Sequence, residues 1–254
     1  MVVKQRGSIL KLGIPWIIPA LALLLWYLST RPGMNNTLMP SPDKVIIRVG
    51  DMIKSGQLLE YLSVSTERAA KGLLLGGLIG LTLAFLTGLN KLLDLTLNTS
   101  IQMLRTIPVL AAISLMIIWF GIGERVKVYM VAFGVFFPIY INTYHGIKSI
   151  DKGLMEMGAV YGLGRIRIFT EIILPGALPS ILVGLRLSLG TMWLLLIASE
   201  QIATDAGIGY MAMSARELLQ MDKIVLAIIL YAILGKLSDF AATWLERTLI
   251  RWRE

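Results

Sequence analysis

The chain has 254 residues, 56% of them hydrophobic and 16% charged. Soluble domains run at ~45–50% apolar and roughly 25% charged residues, so a soluble globular fold is excluded and a polytopic membrane protein is implied. The formal net charge is +8, but the basic residues cluster at the ends of apolar runs, which suits lipid headgroups rather than nucleic acid. With no cysteine and a single histidine, His145, no disulfide, thiol nucleophile or histidine-built zinc site is expected.

A membrane-crossing helix needs about 20 mostly apolar residues, and six stretches qualify. The first, 12–30, follows a basic start as a secretory leader would, but no small-residue cleavage pattern follows it, so it reads as a retained span. Residues 31–66 form the longest connection outside the membrane. Within it "MPSPDKV" (39–45) has prolines that fix an extended or turned path, and 55–72 reads as a short interfacial helix. The second span is 69–89, where Gly72, Gly76 and Gly80 line one face and let another helix approach closely. The third, 101–120, and the fourth, 126–147, contain Pro108 and Pro138, which predict kinks.

The fifth span, 177–199, carries Arg186. A charge so far inside a span either lies beside the path of an anion or is structural, paired or snorkelling to the interface. Beyond its end, Glu200 and Asp205 precede "GIG" and are candidates for a gate or a receptor contact. The sixth span, 224–245, holds Lys236 and Asp239 at a spacing suited to a helical ion pair.

Open strands cannot cross lipid, and the apolar blocks are continuous rather than alternating, which excludes a barrel. The predicted fold is all-α: one transmembrane bundle of about six helices over 1–254, with its core at about 62–246. Six spans put both termini on one side. Lysines and arginines divide almost evenly between the sides, but Arg247, Arg251 and Arg253 crowd past the last span and place the termini in the cytoplasm.

The segment "DKGLMEMGAVYG" (151–162), inside a polar loop at 148–175, has Leu154, Met157, Val160 and Tyr161 at helical spacing. Gly162 ends that helix in the left-handed conformation. Arg165 and Arg167 follow, and Pro175 suits the first turn of the next helix. An ordinary cytoplasmic loop has the same composition, so composition leaves the choice open.

Spacing narrows it. Glu156 is followed six residues on by Gly162, and after nine more residues by Ile172, Leu174 and Pro175. This resembles the E-A-A, three residues, G, nine residues, I-x-L-P signature of permease subunits of bacterial ATP-binding-cassette importers. Met157 and Gly158 stand where that signature has two alanines. "SIQMLRTIPVLAAISLMIIWFGIGE" (100–124), "FPIYINTYHGIKSID" (137–151), "LPGALPSILVGLRLSLGTMWLLLIASE" (174–200) and "GIGYMAMSARELLQ" (207–220) are similar to the branch importing sulfonates, taurine, nitrate and bicarbonate, and most of all to its aliphatic sulfonate permeases.

The resemblance implies a type I importer permease in the bacterial inner membrane, in which 151–162 is the coupling helix. Glu156, Met157, Gly158, Tyr161, Gly162, Ile172, Leu174 and Pro175 would serve contact with an ATPase subunit. It further implies two such subunits, a second copy of this chain, and a periplasmic or lipid-anchored solute receptor, with aliphatic sulfonates carried, or alternatively taurine, nitrate or bicarbonate. "GxxxxGK[ST]" is absent, so ATP is expected to be used by the partner, and no catalytic, cofactor or metal residue is expected here. A self-sufficient secondary transporter is the competing reading. It would fit an internal repeat, and none is visible.

Overall fold

A computed structural model describes residues 6–30, 39–202 and 204–250, with side chains from 17 onward. The basic tail at Arg251 and Arg253 and the stretch 31–38 lie outside the described residues. The helices, in order, are α1 (Arg6–Ser29), α2 (Pro42–Lys54), α3 (Gln57–Leu89), α4 (Lys91–Arg105), α5 (Val109–Phe120), α6 (Glu124–Lys148), α7 (Lys152–Val160), α8 (Arg165–Glu200), α9 (Ile208–Glu217) and α10 (Met221–Leu249). The described residues contain no strand.

Four helices, α3, α6, α8 and α10, are long and apolar enough to cross a bilayer, and α4 with α5 forms a sharply bent apolar pair, with the geometry of a broken crossing or a re-entrant loop. The described apolar part of α1, Ile17–Ser29, is shorter. Two sequence expectations change. The third span is two helices meeting at 102°, because Pro108 supplies no N–H and pushes the residue before it out of the helical region. The chain closes α4 with Thr106 N–H to Met103 O and restarts at Pro108, whose ψ is 115°. The interfacial helix expected at 55–72 is the first part of α3, one continuous helix of 33 residues. Pro138, by contrast, stays inside α6.

Burial sets the architecture. Within its most apolar window α6 is 61% buried and α10 only 11%, so α6 is the centre and α10 the margin. Ala69, Val131, Val135, Ile139, Met192, Trp193 and Leu196 join α3, α6 and α8 in one core. The approach of α3 to α6 depends on the glycine face read from the sequence: a Cβ on Gly76 would run into the Ala132 carbonyl, and one on Gly72 into the Val131 side chain. Backbone cannot yield as a side-chain tip can. Gly76→Ala is therefore expected to lower stability by about 1–3 kcal/mol in thermal unfolding in detergent. Gly235→Ala on α10, where a Cβ would meet nothing within 4 Å, should be neutral or slightly stabilising.

The two ends of the bundle are tied differently. At one end α2, α3, α9 and α10 gather around Val45, Met52, Leu58, Ile208, Met211 and Leu226, with Arg48 paired to Asp222 at 2.6 Å. At the other end Ile147, Ile173 and Ala177 pack with Phe85, Ile150, Met155 and Phe169, and Asp94 pairs with Lys148 at 2.9 Å. Helix α7 lies at this second end, where α8 begins and α10 finishes.

Candidate functional site

Helix α7 is short, and both its ends are built to hold it. Asp151 caps its start in an extended conformation, its carboxylate accepting from Gly153 N–H at 2.8 Å. Its end closes with two reversed bonds: Gly162 N–H to Ala159 O and Leu163 N–H to Gly158 O, each 3.0 Å. This closure requires a left-handed residue after the last helical turn, and Gly162 takes φ +75°. The glycine stop expected from the sequence is thus a feature of the fold.

One side of α7 faces the bundle. Met155 joins the cluster around Ile147 and Ile173. Gly158 is buried, and a Cβ on it would sit 2.8 Å from Ile172 Cδ1. The glycine that replaces a signature alanine is therefore the socket for Ile172. The opposite side is open: Leu154 is 42% exposed, Met157 50%, Val160 87% and Tyr161 80%. Glu156 is exposed beside them. Nearby Ile166 is also exposed.

The structure thus divides the sequence-predicted residues by position. Glu156, Met157 and Tyr161 stand on the outer face. Gly158 and Ile172 seat the helix, and Gly162 turns the chain away. Leu174 and Pro175 open the regular part of α8 after the wider π-type turns of Ile168–Ile173. An exposed helix face in water normally carries polar residues, whereas this one carries exposed apolar side chains beside a carboxylate, as surfaces that meet another protein or the membrane do.

The second site lies at the α9 end. Glu200, on the last turn of α8, is 1% exposed. Its carboxylate accepts from Arg68 Nη1 and Ser65 Oγ at 2.8 Å, from Gly209 N–H at 2.9 Å and from Tyr231 Oη at 3.3 Å. Arg68 also grips both oxygens of Glu124 at 2.6 Å and donates to Ala206 O at 2.7 Å. Lys127, itself buried, reaches Glu124 at 2.8 Å. Ser65 accepts from Ile208 N–H at 2.9 Å. Two cations balance two carboxylates, so the buried charge is compensated. A Cβ on Gly207 would collide with Glu200 and Arg68, so only glycine lets the 206–209 turn lie on the pair. The network fastens the start of α9 to α3, α6, α8 and α10.

Of the three pathway or gate candidates, the structure brings none together. Glu200 is the hub of this network. Asp205 is exposed on the turn beside it. Arg186 lies fourteen residues earlier on α8, roughly 20 Å along the helix, and pairs with Asp239 at 2.7 Å. Arg68, Ser65, Glu124 and Gly207 were missed by sequence reading. Their signal was faint, because charges at span ends resemble ordinary interfacial anchors. No group of three or more candidate metal ligands occurs among the described residues.

A multi-pass helical bundle with a short, outward-facing apolar helix between two of its spanning helices, α6 and α8, is the architecture of a membrane transport component. Residues 76–251 match the family of binding-protein-dependent transport system inner membrane components, and the chain belongs to that family. It is 51% identical over 239 residues, 94% of this chain and 91% of the other, to the putative aliphatic sulfonates transport permease protein SsuC of Escherichia coli (strain K12). To the protein of the same description from Bacillus subtilis (strain 168) it is 41% identical, over 93% of this chain and 86% of the other. In fold it is similar to a chain of the MetNI methionine ABC transporter in an inward-facing conformation, with TM-score 0.61 and 20% identity over 76% of this chain and 96% of that one.

Proposed function

We propose that this chain is the membrane-spanning subunit of an ATP-driven importer and carries aliphatic sulfonates across the bacterial cytoplasmic membrane. Two copies form one path between them. Two ATPase subunits dock on the α7 end, which faces the cytoplasm with the termini, and a solute receptor docks on the α9 end. The observation that carries this reading is the outward apolar face of α7, held rigid by its capped start and glycine stop. Rigidity matters because a soft lever would absorb a partner's motion rather than pass it on. When the ATPases close, the two α7 helices draw together and the tilt of α6 and α8, to which they are joined, opens the path on the far side.

Glu200 and its partners then hold α9 as a cover on that far side, with Asp205 exposed where a receptor arrives. The substrate class is supported by the two sulfonate permease relatives from distant bacteria. The test is uptake of radiolabelled ethanesulfonate into proteoliposomes holding the chain, its ATPase and its receptor. Uptake should require interior ATP and exterior receptor, and excess taurine, nitrate or bicarbonate should compete weakly. Uptake by the chain alone would replace this reading with a secondary transporter, and preference for one of the competitors would replace the substrate.

A further inference from the structure

Three charged side chains stand where a membrane protein can least accommodate them. Arg186 donates from Nη2 and Nε to Asp239 Oδ1 at 2.7 and 2.8 Å, and Lys236 reaches Asp239 Oδ2 at 3.3 Å. Lys236 is fifteen residues from the start of α10 and thirteen from its end, about 20 Å from either. Yet the side chains are open: 48% for Arg186, 35% for Asp239 and 80% for Lys236. The neighbouring surface is apolar, with Val183, Leu187, Ile233, Leu237 and Phe240 all exposed.

Lipid cannot cover this face as it stands. Each mid-span charge costs several kcal/mol in hydrocarbon. A lysine stem extends about 6 Å, and the interface lies about 15 Å from the bilayer centre. A dry contact with a second copy fails on charge. Two cations and one carboxylate leave each chain one positive charge in excess, and a two-fold contact between copies doubles that excess without adding a counter-charge. Among the described residues Asp239 is the one carboxylate paired with either cation. What satisfies the face is water, and an anion.

We propose that Arg186 and Lys236 form an anion station lining the water-filled path, with Asp239 as the resident counter-ion. A sulfonate entering the path accepts hydrogen bonds from Lys236 and from the outer edge of Arg186, while its alkyl tail lies on Val183, Leu187 and Ile233. Asp239 keeps the cations partly satisfied when the station is empty, so the anion is held weakly enough to leave. This rests on the transporter reading above and deepens it by placing the substrate's charge.

The cysteine-free sequence makes the test direct. Ile233→Cys puts a single thiol one turn from Lys236 on the same exposed face. Its modification is followed in membranes holding the whole transporter, using the anionic 2-sulfonatoethyl and the cationic 2-(trimethylammonio)ethyl methanethiosulfonates. Both should react, and after correction for their rates with a free thiol the anionic reagent should be about tenfold faster. Lys236→Gln should lower that ratio severalfold, Asp239→Asn should raise it, and millimolar ethanesulfonate should slow the anionic reagent selectively. Lys236 is so exposed that its replacement leaves packing intact. Failure of both reagents to react, or a ratio indifferent to Lys236→Gln, would overturn the station. Absence of ethanesulfonate uptake by the wild-type complex would instead remove the substrate assignment, and the thiol ratios would still report whether the anion station exists.

Discussion

Replacing Arg68 by methionine is expected to destabilise the protein by about 3–5 kcal/mol, because it strands the Glu200 carboxylate in a buried site with no cation. The Arg68 side chain is 6% exposed and that of Glu200 0%, so water cannot substitute. Glu200→Gln should cost much less. The amide oxygen still accepts from Ser65 and Gly209; the Arg68 bond to residue 200 is lost, but Arg68 keeps both oxygens of Glu124. The decisive measurement is the double variant. If stranded charge is the cause, Arg68→Met with Glu200→Gln is more stable than Arg68→Met alone, a coupling of 1 kcal/mol or more. Simple additivity in thermal unfolding would show that lost packing, not charge, carries the cost. Since Arg68 also holds the Ala206 carbonyl, the single variant should loosen α9 as well, seen as faster proteolysis within 203–220.

Why was this network hidden in the sequence when α7 was legible? The signature of α7 is local: a cap, an apolar spacing and a glycine, all within a dozen residues and each with its own physical meaning. The network joins residues 56, 132 and 135 positions apart, and nothing near Arg68 distinguishes it from any basic residue flanking a span. The same reason governs Asp239. Spacing gives its neighbour Lys236, and that contact exists, but the closer partner is Arg186, 53 positions away on another helix.

The breaks were half legible. Pro108 and Pro138 look alike in sequence, yet one ends a helix and the other does not. Pro138 sits in the most buried helix, where α3 and α8 press on both sides; the α8 glycine Gly184 lies directly on the Pro138 carbonyl. Pro108 lies beside exposed Ile107 and Leu110, in a far less buried part of the bundle. Each proline weakens its helix in the same way, and the packing around it decides whether the helix continues or breaks. Helix α2 is not legible in the sequence, because prolines at 40 and 42 read as an extended or turned path. Pro42 instead starts the helix, a position where its missing N–H is harmless, and Val45, Val49 and Met52 then repeat at helical spacing toward α9 and α10.

The largest functional effect should come from the outer face of α7. Val160→Asp combined with Tyr161→Ser is expected to reduce ATP-driven uptake at least tenfold, since losing a central anchor from a docked apolar surface costs about 2 kcal/mol or more, and 1.4 kcal/mol is tenfold. These side chains touch little in the bundle, at 87% and 80% exposed, so thermal stability of the isolated chain should be unchanged. Gly162→Ala attacks the same lever from behind. Nothing lies within 4 Å of its absent Cβ, but alanine at φ +75° costs about 1–2 kcal/mol, enough to open the closing turn and let α7 tilt. The surface variant should lose the ATPase on purification. The turn variant should keep it while wasting ATP, with hydrolysis retained and uptake reduced. Binding and posture are then separable, which is what a rigid lever requires. If the surface variant carried substrate normally, α7 would be an ordinary loop helix, and the proposed coupling of an ATPase to this bundle through it would fall.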